Sequence, residues 1–118
     1  MTTPQPAALP FSKIRTAKGL VFLSGELPFA ADGSIPDGIA AQTDLTLTRI
    51  AATLSTVGLD LGDVVSVTVF LTHAEDFAAF NTAYASHWQG ILPVRATVCT
   101  ALVAPARIEI SVIAATRE

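Results

Sequence analysis

The chain has 118 residues, of which 51% are hydrophobic and only 14% charged, and its mean hydropathy is +0.54. Soluble proteins carry roughly 25% charged residues, so this composition implies either a membrane protein or a small domain that buries surface against copies of itself. No apolar run approaches the roughly 18 residues a spanning helix needs, and a net charge of −3 with a pI near 5.2 argues against a nucleic-acid surface.

The start, Met1-Thr2-Thr3-Pro4-Gln5-Pro6, has neither the basic nor the apolar region of a signal peptide. The expectation is a cytoplasmic homo-oligomer with apolar interfaces and no membrane or nucleic-acid partner. Cys99 is the sole cysteine, which excludes an intrachain disulfide, and it reads as a small buried hydrophobe. His73 and His87 are the only histidines, too few for a protein-built metal site, and no cofactor is expected.

The length suits a single domain over 1–118, with residues 1–10, rich in Pro and Ala, as a loosely held arm. Phe11–Ala17 and Leu20–Leu27 flank Lys18-Gly19 and read as a β-hairpin, while Ile35-Pro36 reads as a very short edge strand. The spacing of Ile39, Leu47, Ile50, Leu54 and Val57 predicts a helix over 38–57, closed by Gly58 at the position after its C-cap. Val64–Leu71, rich in β-branched residues, reads as a central strand. A second helix over 75–88 follows, with Phe77, Phe80, Tyr84 and Trp88 as its buried stripe and Asn81 on or beside that stripe. Strands at 93–98 and 107–115 complete the order ββ(β)αβαββ. The expectation is an α+β domain with a mixed six-stranded sheet and two helices on one face.

Alternation along Pro93-Val94-Arg95-Ala96-Thr97-Val98 puts Val94, Ala96 and Val98 on one face and Arg95, Thr97 and Cys99 on the other. Arg95 is the only charged residue between Ala85 and Val103, and a guanidinium on an apolar strand is costly to desolvate unless an anion meets it. The next strand, Arg107-Ile108-Glu109-Ile110-Ser111, carries Glu109 on its polar side. Paired as a hairpin, the two strands would bring Arg95 near Glu109. Two readings stay open: a ligand's carboxylate or phosphate on Arg95, or a structural ion pair with Glu109.

The ordered set Pro10-Phe11-Ser12, Leu20-Val21-Phe22-Leu23-Ser24-Gly25, Pro28, Ala40-Ala41-Gln42-Thr43, Asp63-Val64-Val65, Thr68-Val69-Phe70-Leu71, Asp76-Phe77, Phe80-Asn81, Pro93-Val94-Arg95 and Ile108-Glu109-Ile110 resembles the RidA/YjgF family, also called the endoribonuclease L-PSP family, over nearly the whole chain. The resemblance implies a chorismate-mutase-like fold, a homotrimer with ligand clefts between subunits, and hydrolysis of reactive 2-imino or enamine acids, such as 2-aminoacrylate, to 2-keto acids and ammonia. It makes Arg95 the holder of the substrate carboxylate, Glu109 the carboxylate that handles the attacking water, and Ser24, Gly25, Asn81, Thr97 and Phe11 the lining of the cleft. Phe11 stands where many members have tyrosine, Thr97 where several have cysteine, Glu26 where glutamine is frequent and Ser111 where a second glutamate is common.

Three other functions compete. The cleft could bind a keto acid or another small carboxylate as a regulator, leaving Glu109 dispensable. A ribonuclease or translation inhibitor follows from the family's older name, against the acidic pI and the lack of paired histidines. An interaction or chaperone-like role would leave no residue signature.

Overall fold

The structure, a computed structural model, describes residues 9–117. Most of the expected arm, residues 1–8, lies outside the described residues.

Strands β1 (Ile14–Ala17) and β2 (Leu20–Leu23) form the expected hairpin, and Lys18 and Gly19 turn it with φ of 54° and 76°. Positive φ at both central residues matches the right-handed twist of the flanking strands. Helix α1 (Ile39–Ser55) follows, and Gly58, with φ 76°, ends it as the sequence predicts. Strand β3 (Val64–Leu71) leads through a 3-10 turn at Ala74–Asp76 into helix α2 (Phe77–Ala85), then β4 (Val94–Cys99) and β5 (Ile108–Ala115). Ile35 and Pro36 form no strand, and among the described residues the sheet has five strands, not six, in the order β1-β2-β5-β3-β4.

That order overturns the expected hairpin between the last two strands. β4 runs parallel to β3, and β5 inserts antiparallel between β2 and β3. The cause lies in β3-α2-β4, a strand-helix-strand crossover that returns a parallel neighbour to the same sheet. β4 takes one edge of β3, and only the other edge remains for β5.

Both helices cover one face of the sheet. Val67, Val69 and Leu71 of β3 and Ile108, Ile110, Val112 and Ala114 of β5 point into that layer and are buried against Leu47, Ile50 and Leu54 of α1 and Phe80 and Tyr84 of α2. Two residues expected in the helical stripes lie at their margins instead: Phe77 is 46% exposed and Val57 43%. No element among the described residues covers the opposite face, and Phe22, Val65, Val94 and Val98 remain exposed. No helix among the described residues is long and apolar enough to cross a membrane.

Leu47 is fully buried and distant in sequence from every candidate site residue. Truncating it leaves a cavity as well as removing transfer free energy, so Leu47→Ala should lower stability by about 2–5 kcal/mol. Urea unfolding followed by circular dichroism checks this; a loss below about 1 kcal/mol would contradict the assigned core.

Candidate functional site

Arg95 lies on the helix-covered face of β4, opposite Val67, as alternation predicts. Its Nη2 donates a 2.8 Å hydrogen bond to Asn81 Oδ1 on α2. Its guanidinium carbon sits 5.0 Å from the ring centre of Phe80, 4.8 Å from that of Tyr84 and 5.8 Å from that of Phe77. Ring faces attract a cation and hold its fork in one orientation. Among the described residues no carboxylate comes within ion-pairing distance of Arg95, whereas Arg49 and Arg107 each have one and Arg117 has two. Thr97, two residues on, shares a cavity of about 290 Å³ with Leu71, Ala74, Phe77, Val98 and Cys99. Cys99 is exposed there, not buried, because β4 is the sheet's edge.

Glu109 belongs to a different place. It pairs with Phe70 on β3, and Phe70 alternates with the core residues Val69 and Leu71, so Glu109 stands on the open face. Its carboxylate packs directly over Gly25: a Cβ at residue 25 would lie 2.1 Å from Glu109 Oε2. Only glycine allows that approach. Gly25 and Ser24 border a cavity of about 490 Å³ with Phe11, Leu27, Phe29 and Lys13. The Ser24 hydroxyl donates to Ser12 O at 2.6 Å, and the Ser24 amide to Lys13 O at 3.1 Å, which fixes the chain beside Phe11.

The seven candidates therefore separate. Asn81, Arg95 and Thr97 lie on the helix side of β4, and Glu109 lies on the open face against Gly25. Gly25 joins Phe11 and Ser24 at the cavity that Glu26 and Arg49 also line. Arg95 aligns with Val67 and Glu109 with Phe70, with β3 between them. Strand spacing puts their α-carbons about 14 Å apart. The ion pair that sequence allowed between them does not form within the chain.

Sequence reading also missed Arg49. It projects from α1, its Nε donates to Glu26 Oε1, and its Nη1 donates to Phe29 O at 2.5 Å. Glu26 and Arg49 both line the cavity beside Phe11 and Gly25, and because Arg49 matches its charge, Glu26 does not add there the unmatched negative charge that its replacement of glutamine suggests. The available signal was that Arg49 is the only basic residue in α1. His87 Nε2, in the turn after α2, lies 2.8 Å from Asp44 Oδ1 on α1.

Tyr84 is the chain's only tyrosine, and its buried hydroxyl finds no partner among the described residues. Burial raises its pKa above the ordinary 10.0, and Arg95 opposes that rise. The folded state thus favours the neutral phenol, the unfolded chain loses the proton first, and stability should fall as the pH climbs past the unfolded value. Ultraviolet titration of tyrosinate absorbance should give a midpoint above 10.0, and Arg95→Met should move it higher still. A midpoint that Arg95→Met lowers or leaves in place would contradict the stacking of the guanidinium on this ring.

The sequence profile described as "Endoribonuclease L-PSP" matches residues 2–116. The chain is 35% identical over 89 residues to the mitochondrial protein mmf2 of Schizosaccharomyces pombe, covering 75% of this chain and 71% of that one. It is 33% identical over 117 residues to the 2-iminobutanoate/2-iminopropanoate deaminase of Bos taurus, covering 96% of this chain and 85% of the other. The crystal structure of E. coli TdcF with bound serine superposes with a TM-score of 0.86 at 32% identity, covering 94% of this chain and 91% of that one.

Proposed function

The chain belongs to the endoribonuclease L-PSP family, the RidA/YjgF family of its motifs, and from that membership we propose that it is a hydrolytic deaminase of reactive 2-imino and enamine acids. The reaction is R–C(=NH)–COO⁻ + H₂O → R–CO–COO⁻ + NH₃. The observation that carries this reading is Arg95, a cation oriented by Asn81 and three rings and left without a carboxylate among the described residues. Such a group is a preformed receptor for a small carboxylate. The serine bound to a related structure is a ligand of that size and charge.

In this mechanism Arg95 grips the substrate carboxylate with both arms of its fork and so fixes the imine carbon. Glu109 accepts a proton from a water as the water's oxygen bonds to that carbon and the C=N π pair moves to nitrogen. Glu109 then returns the proton to the nitrogen of the tetrahedral adduct. Glu109 next carries the adduct's hydroxyl proton to the same nitrogen, so the C=O closes as the C–N bond breaks and the nitrogen leaves as ammonia. Phe11, Ser24 and Gly25 line the side that holds Glu109, and Thr97 lines the side that holds Arg95.

A small imino acid cannot bridge about 14 Å from one face of a sheet to the other. The site is therefore shared: one copy supplies Arg95, Asn81 and Thr97, and the next supplies Glu109, Gly25, Ser24 and Phe11. A homotrimer repeats this contact three times by symmetry, and the exposed Phe22, Val94 and Val98 suit the apolar interfaces it needs. We assign the protein to the cytoplasm, although the related mmf2 is named as mitochondrial.

Imino acids generated in situ by an amino-acid oxidase, with semicarbazide as the competing trap, test the activity. Arg95→Ala and Glu109→Gln should each lower kcat/KM by tenfold to several orders of magnitude, since charge-assisted hydrogen bonds contribute about 1.5–3 kcal/mol. Arg95→Lys keeps the charge without the fork and should recover only part of the loss. Unfolding the two dead variants together and refolding them as mixed oligomers should restore about a quarter of the sites, because some interfaces then pair an intact Arg95 with an intact Glu109. No recovery in verified mixed oligomers would refute the shared site. A wild type that binds 2-oxobutanoate but releases no ammonia would instead make the protein a carboxylate-binding regulator.

A further inference from the structure

Glu109's carboxylate packs against the chain at Gly25, and that chain is held by two separate attachments. Glu26 pairs with Ile110 by a backbone hydrogen bond in each direction, at 2.8 and 3.0 Å. This isolated bridge sits immediately beside Glu109 on β5 and immediately after Gly25. The Glu26 side chain turns the other way, toward the helix layer, where its carboxylate is 12% exposed and meets the Arg49 guanidinium. Arg49 also reaches Phe29 O, so one side chain of α1 ties down both ends of the segment from Glu26 to Phe29.

A buried carboxylate stays buried only while a cation matches it. Without Arg49, Glu26 would gain by turning out to water, and its backbone is the bridge to Ile110. Any such movement carries Gly25 away from the one place where a missing side chain makes room for Glu109. Arg49 lines the cavity that Phe11, Ser24 and Gly25 also border, and Glu109 is not among its lining residues, so its path to Glu109 runs through Glu26 and Gly25.

We infer that Arg49 is a positioning residue for the reaction: by neutralising Glu26 it keeps the 24–26 segment on β5 and so fixes the Glu109 carboxylate over Gly25. This rests on the proposed role of Glu109 as the group that handles water. The anchoring of substrate belongs to Arg95, a separate group, so losing Arg49 should harm the chemical step and spare binding.

Two measurements on Arg49→Met test this separately. Hydrogen exchange at the Glu26 and Ile110 amides, followed by NMR, should speed up at least tenfold relative to neighbouring β5 amides. In the imine assay, kcat per folded oligomer should fall about tenfold or more with KM within about twofold. The double variant Glu26→Gln/Arg49→Met should return both toward wild type, because an uncharged amide can stay buried without a cation. A purely structural role predicts a lower melting temperature in Arg49→Met with kcat per folded oligomer unchanged, and that result would overturn the inference. So would unchanged exchange, or failure of the double variant to recover. A wild type that hydrolyses no imine ends the deaminase reading, and exchange in the single and double variants then decides whether Arg49 holds the segment.

Discussion

Strand β5 takes hydrogen bonds from β2 on one side and β3 on the other, and its register with both commits each of its side chains to one of two faces. Ile108, Ile110, Val112 and Ala114 must go under the helices, so Glu109 must go to the open side. The same register brings Ile110 to Glu26 and sets Gly25 against the Glu109 carboxylate. Sliding β5 by one residue would bury Glu109 in the apolar layer and expose Ile108 and Ile110. The location of the chain's most chemically informative carboxylate is thus a consequence of where hydrophobic residues have to be.

The charged side chains of the helix layer follow one rule with one exception. Arg107 meets Asp76 through two hydrogen bonds, at 2.7 and 3.1 Å, and Arg49 meets Glu26. Each pair offsets in place the cost of drawing a charge from water. Arg95 is treated differently, with ring faces and one amide oxygen around it. Rings and an amide orient a guanidinium without neutralising it, so its affinity for an anion survives folding. An arginine matched by a carboxylate stabilises the fold, while one held this way keeps its binding capacity for something else.

Local chemistry made much of this legible in the sequence. The positive-φ turn at Lys18-Gly19, the helix of α1 with Gly58 beyond its end, and the face on which Arg95 lies all depend on residues close together in the chain. What was not legible depended on competition between distant segments. The alternation of β4 and that of β5 are each compatible with a hairpin, and only the crossover through α2 gives β4 its place on the far edge of β3. Ile35-Pro36 has the composition of a short strand and no neighbour to pair with. Arg49 was overlooked because nothing local marks a helical arginine as the counter-ion of a residue 23 positions earlier.

The apolar composition and the divided candidate site have a common explanation in the proposed assembly. A sheet with helices on one face only leaves its other face unfinished, and here that face carries exposed Phe22, Val94 and Val98 together with Glu109. Covering it with another copy removes apolar area from water. A structural ion pair within the chain would have joined Arg95 to Glu109 and left neither for a ligand. Keeping them on opposite faces means that each stays uncommitted until two copies meet. In such an arrangement the contact that buries the open face also brings the cation and the carboxylate to one cleft, so an isolated subunit would hold both groups and still lack a site.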